Sequence, residues 1–215
     1  DLAADKRLFY QSAMKCTEIN GFHYSNSLFY VLGQCLEGEK SSIFLNSIGL
    51  DGVSDWAVDF EFQGEVLDLK VTPSFSRDIL LTGNLVGSIQ VGNEKITSSS
   101  PSSFAILVDA NGKSIGVSLF DQVVGKVAVA SHTPSSHWFL ALGQTDESAA
   151  PITKVLCLDR SLNLISEEII SGVSSARICS SDEAIFLLGF RQTIEDPDNS
   201  VVLMKLSLSG SFIWE

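Results

Sequence analysis

The sequence predicts an all-β protein, and three observations carry the prediction. Short apolar runs recur along the whole chain, each cut by Gly, Pro, Asn, Asp or Ser. No run keeps a 3.6-residue apolar period long enough for an amphipathic helix. The same order of runs and turns comes back again and again, which is the mark of a repeat architecture.

The clearest repeat lies at residues 78–116. It holds Ile79-Leu80-Leu81, then Gly83, a polar insertion, Phe104-Ala105-Ile106-Leu107-Val108, and Asp109-Ala110-Asn111-Gly112. It reads as strand, loop, strand, tight turn, with a further strand behind. Asn-Gly accepts the positive φ that a type I′ hairpin turn demands, so a turn of that type is expected.

In chain order, residues 8–14 form a first strand-like run. Residues 16–19 lead into Asn20-Gly21 and Ser25-Asn26-Ser27. Leu28-Phe29-Tyr30-Val31-Leu32-Gly33 follows, strong in β composition. Ile43-Phe44-Leu45 is the next strand, closed by Gly49-Leu50-Asp51-Gly52, and Trp56 opens another. Leu67, Leu69 and Val71 then alternate with Asp68, Lys70 and Thr72, a period of two with one face in and one out. A third repeat holds Val127 and Val129, a break at His132-Thr133-Pro134, runs at 138–143 and 152–158, and the turn Asp159-Arg160-Ser161. A fourth holds Ile178, a break at Ser180-Ser181-Asp182, runs at 185–189 and 201–206, the turn Ser209-Gly210, and Trp214.

Gly33, Gly83, Gly143 and Gly189 are expected to mark equivalent points in the four repeats. A unit of four strands in roughly 40–50 residues is the pattern of a propeller blade. A single four-stranded sheet of this kind has two apolar faces and cannot stay dry alone. The expected fold is therefore a small β-propeller of four blades, each an antiparallel four-stranded sheet. It forms one domain over residues 1–215, with repeats at 15–65, 66–125, 126–176 and 177–215, the last completed by 7–14. That arrangement closes the ring with strands from both ends of the chain. A segment of a larger ring, or a β-sandwich, is the alternative.

The 215 residues suffice for one sizeable core, and the composition, 45% hydrophobic and 19% charged, is globular. The net charge of -12 argues against nucleic acid, whose phosphates need clustered Lys and Arg, and against an anionic membrane surface. No apolar run is long enough for membrane insertion. Cys16, Cys35, Cys157 and Cys179 have no metal-ligand spacing and read as small buried apolar residues, with a Cys16–Cys35 bridge across neighbouring strands as the alternative.

Candidate site residues sit in the loops between the second and third strands of each repeat, which vary most in length. They are Glu37, Glu39, Glu94, Asp146, Glu147, Glu195, Asp196 and Asp198, against Lys40, Lys95 and Arg191. Variable loops on a rigid frame are where binding usually sits, and an acidic face suits a basic partner. The cluster Glu195-Asp196-Pro197-Asp198-Asn199 lacks the D-x-D-x-D-G pattern of a Ca²⁺ loop. His23, His132 and His137 lie in or beside loops, in different repeats or at the two ends of one loop, and read as exposed, so no metal site and no cofactor is expected. No nucleophile elbow or phosphate-binding glycine loop is present. Phe29, Tyr30, Trp138, Phe139 and Phe186 read as packing between sheets.

Two windows resemble a known family. Residues 83–112 and 201–214 are similar to the bacterial β-propeller repeats of secreted and cell-surface proteins, whose blades often end in a Lys-Leu-Asp, Asn-Gly, Trp pattern. The resemblance implies a propeller and an extracellular or cell-surface setting, and it transfers no catalytic residue. The expected function is a non-catalytic protein-binding or scaffold domain with a protein partner. A propeller hydrolase or lyase acting on carbohydrate is the alternative.

Overall fold

The computed structural model describes residues 16–37, 40–120, 127–132, 137–144, 151–191 and 200–214. Their regular elements are strands throughout. β1 (Cys16–Ser25), β2 (Leu28–Glu37), β3 (Lys40–Gly49), β4 (Ser54–Pro73), β5 (Ile79–Val91), β6 (Glu94–Val108) and β7 (Ser114–Phe120) form one seven-stranded sheet in chain order. β8 (Val127–His132), β9 (Trp138–Gln144), β10 (Ile152–Leu158) and β11 (Leu164–Ser171) form a second sheet. β12 (Val173–Ser180), β13 (Ile185–Arg191), β14 (Ser200–Leu206) and β15 (Phe212–Trp214) form a third. All pairings are antiparallel between chain neighbours, so the three sheets are meanders.

β4 explains why the first sheet is so wide. Its residues 54–62 pair with β3, and its residues 62–73 pair with β5. The outer strand of one four-stranded meander thus runs on without a break as the inner strand of the next. The hand-over lies at Gly64 opposite Gly87. Both have positive φ, +103° and +126°, and a Cβ on Gly87 would lie 2.0 Å from the Gln63 carbonyl oxygen. Only glycine lets the two backbones cross that closely.

The packing follows from period two. Ile79 and Leu81 enter one core cluster, which also holds Tyr30, Leu32, Ile43 and Leu45 from the first meander. Leu80, Ala105 and Leu107 point the other way and meet Trp138, Leu140 and Leu142 of the second sheet. Phe139, Ala141, Val155 and Cys157, on that sheet's far side, meet Ile185, Leu187 and Met204 of the third. The unbroken apolar runs of the sequence are therefore strands covered on both faces. Each fully buried Leu or Phe contributes about 1.5–3 kcal/mol.

A second contact locks neighbours together at the rim. The turns 49–52, 109–112, 159–162 and 207–210 share one geometry. In each, the first residue accepts from the fourth residue's N–H and donates to the carbonyl just beyond the turn. The fourth residue, Gly52, Gly112, Leu162 or Gly210, is left-handed. This is a type I turn with a following bulge, not the type I′ turn expected, because Asn111 keeps a negative φ and only Gly112 needs a positive one. Asp109 and Asp159 brace their turns by accepting from the N–H groups two and four residues on. The strand after each turn leans on the next unit's turn. Trp56 Nε1 donates to the Ala110 carbonyl at 3.0 Å, Ser118 Oγ to the Leu162 carbonyl at 3.2 Å, and Ser166 Oγ to the Ser209 carbonyl.

Several expectations are corrected. The sheets form a row and not a closed ring: among the described residues no core cluster joins the third sheet back to the first. The last unit has its own fourth strand in β15, and residues 8–14 lie outside the described residues. The described residues form three sheets packed in series, not the two of a sandwich. The polar insertion at 84–101 is no loop but the long arm of the β5–β6 hairpin, with Leu85, Ile89 and Val91 buried and the Ser98 and Ser102 hydroxyls bonded to each other at 2.8 Å. Gly33, Gly83 and Gly189 are equivalent, each facing an inner-strand carbonyl within about 3 Å of where a Cβ would sit. Gly143 is one place out: counted from the turn, Leu142 holds that position. Tyr30, Trp138 and Phe139 pack between sheets as expected. Cys35 and Cys157 are buried, but Cys179 is exposed. Cys16 and Cys35 do stand opposite one another in the β1–β2 register.

Gly87→Ala should cost about 3 kcal/mol or more, since it adds left-handed strain and a backbone clash together. Urea unfolding measures it, and a loss under about 1 kcal/mol would show that β4 and β5 can part there. The carboxyl of Asp159 is held below its ordinary 3.8 by the Asn163 side chain, then by the backbone N–H groups of Asn163 and Ser161. It should titrate below that value by NMR. Its contribution to stability is present above the unfolded value and is lost as pH falls through the lowered one.

Candidate functional site

The inner strands lie side by side: β1 against β4, β4 against β8, and β8 against β12. Among the described residues the inner strands carry Glu18 on β1, Glu65, Asp68 and Lys70 on β4, and Arg177 and Cys179 on β12. His23 stands on β1 with its imidazole pushed below the ordinary 6.5 by burial. His137, just before β9, has a buried Nδ1 without a hydrogen-bond partner among the described residues, and its ring meets Phe139 edge-on at 6.5 Å. His132 ends β8. Among the described residues no three of His, Cys, Asp and Glu come together as a metal site would require.

The acidic residues singled out by sequence are placed unequally. Glu39, Asp146, Glu147, Glu195, Asp196 and Asp198 lie outside the described residues. Glu37 ends β2, in register with Lys40. Glu94 is exposed at the tip of the β5–β6 arm. It lines a shallow cleft of about 380 Å³ with Val91, Asn93, Lys113 and Ile115. A second cleft, about 250 Å³, lies where β3, β4 and the arm meet, lined by Ser41, Glu61, Gln63, Ser88 and Lys95. Both are open, and both mix charge of either sign with apolar wall. Neither gathers the carboxylates into one acidic face.

A partly buried ion pair that no sequence pattern signals joins the first and second sheets. The Asp78 carboxylate, nearly enclosed, accepts from Ser76 at 2.9 Å and from the Arg160 guanidinium at 3.0 Å. Arg160 is the second residue of the 159–162 turn, so the pair ties that turn to the loop before β5. The two residues are 82 apart in the chain, and no local pattern links them.

No family model and no curated protein matches the chain. Solved structures do. A chimera of an apocarotenoid oxygenase (ACO) with RPE65 matches at a TM-score of 0.51 and 11% identity. Two variants of the Synechocystis apocarotenoid oxygenase, each altered at one glutamate, match at 0.52 and 10%. In each case the likeness covers 87% of this chain and 46% of the other, so the chain spans about half the length of these neighbours. At this identity the likeness shows the fold: all-β and propeller-like.

The expectation of a non-catalytic binding or scaffold domain is overturned by these neighbours, which share the fold of this chain and are oxygenases by name. The expectation rested on the lack of a catalytic motif. Propeller-like folds gather functional groups from the ends of strands far apart in sequence, so a linear motif is not needed.

Asp78→Ala should destabilise by about 1–3 kcal/mol, because it strips two donors of a buried acceptor. Arg160→Ala should cost less than about 1 kcal/mol, since Arg160 is mostly solvated. Thermal unfolding of the two variants separates them, and equal losses would show that the pair carries no such asymmetry.

Proposed function

We propose that this chain forms about half of a propeller enzyme of the oxygenase class acting on an apolar, apocarotenoid-like substrate. Its four four-stranded units, two of them sharing β4, are four blades of an incomplete ring. The observation that supports this most is the backbone likeness to apocarotenoid oxygenases over 87% of the chain. The chain's part is the wall. Its inner strands line the centre of the ring, and its paired sheets hold those strands rigid. Oxygenase chemistry needs a group that activates dioxygen. The described residues offer no converging donor set for one, so no step of the reaction is assigned to a residue of this chain.

The test uses the purified chain and an apocarotenal in detergent. Binding should quench the fluorescence of the half-exposed Trp56 and Trp214, with a shift in the polyene absorption band. Neither quenching nor a band shift, at apocarotenal concentrations where detergent micelles alone show none, would overturn the proposal.

A further inference from the structure

Strand register sorts the four cysteines of this chain. Cys157 on β10 stands opposite Phe139 and Ser166. Its thiol donates to the Leu208 carbonyl at 3.8 Å, and burial pushes its pKa up, so it stays protonated and inert. Cys179 on β12 stands opposite Phe186 and is exposed. Cys16 and Cys35 differ from both: they are paired with each other across β1 and β2.

Residues paired across two antiparallel strands share a face of the sheet, with Cα atoms about 4.5–5.5 Å apart. A disulfide spans Cα separations of about 4.4–6.8 Å, so the register brings this pair within reach. The surrounding ladder gives the bond a purpose. β1 is the outermost strand of its sheet and pairs there with β2 alone, while also lying against β4 as an inner strand. The β1–β2 ladder slips between Cys16 and Glu18, and again between Ile19 and Gly21. Cys16, where β1 begins, is thus cut off from the regular pairing and needs another tie. Cys35 is 3% exposed. It stands two residues beyond Gly33, on the face where the Phe44 ring covers that glycine. A small thiol in solution does not reach a sulfur so placed unless the sheet opens, so a bond made there during folding is protected afterwards.

We infer that Cys16 and Cys35 form a disulfide that pins the start of β1 to β2 and so fixes the first of the inner strands. The oxidant is a small disulfide of the glutathione class. One Sγ–Sγ bond forms in the chain and the S–S bond of glutathione disulfide breaks. The two electrons and the two thiol protons leave on the two glutathione thiols released, and the bond persists in an oxidising setting. The inference goes beyond the oxygenase proposal and does not rest on it. Its test reads covalent mass and stability and not substrate, so the two fail separately.

The 215-residue chain is equilibrated with reduced and oxidised glutathione, blocked with iodoacetamide and cut with trypsin. Residues 16–40 hold both cysteines and no Lys or Arg before Lys40, so they leave as one peptide. With glutathione disulfide in excess, and before reduction, that peptide should carry no alkyl group and weigh two hydrogens less than its dithiol. The same titration in urea measures the bond in the unfolded chain. Folding should favour the bond about 100-fold, the factor by which the bond in turn favours folding. The oxidised chain should therefore melt several degrees above the reduced one. Cys16→Ser should abolish that difference, and Cys179→Ser should keep it. A 16–40 peptide that keeps alkyl or glutathione groups under the same excess overturns the inference. So does a bond from either cysteine to Cys157 or Cys179, or a bond no stronger in the folded chain than in urea.

Discussion

The structure depends on one constraint: a thin sheet with apolar side chains on both faces must be covered twice. Leu80 and Leu81 are neighbours in sequence, yet they serve different cores on opposite sides of one sheet. Phe139 and Leu140 do the same in the next sheet. No single unit can satisfy both faces, so the units line up in a row. The hydrophobic effect carries no direction of its own; pleating, which sends alternate side chains to opposite faces, gives it one.

What sets the spacing within the row is the rim contact between a strand and the next turn. The four turns are built alike although their sequences differ, because one residue at the fourth place takes a left-handed conformation. Glycine does this without cost at three of them. Leu162 does it against its steric preference, and its burial among Leu80, Leu107 and Leu158 offsets the strain. The tryptophan, the glycine with a nearby serine, and the serine that lean on these turns are chemically unlike, yet they occupy one register position. The joint is defined by place more than by residue type.

The outer face of the third sheet leaves Leu188, Phe190, Val201, Leu203 and Trp214 exposed. Large exposed apolar patches on a protein mark a surface that is meant to be covered. The neighbours in structure are about twice as long.

By itself the sequence determined the all-β class, the repeat and the places of the four equivalent turns, because alternation and turn residues are local signals. Residues such as Ile79, Phe104 and Ile185 were legible as core for the same reason. Composition hid the β5–β6 arm: serine and glycine lower β propensity, and the period of Leu85, Ile89 and Val91 is interrupted by a bulge. Gly143 lies one residue beyond the equivalent place, which Leu142 fills, and a count of apolar runs does not fix that register. Only the tertiary structure decided that β4 joins two meanders, that Arg160 reaches Asp78, and that the ring is open. Each of these depends on where a strand lies relative to partners far along the chain, and distance in sequence carries no record of that.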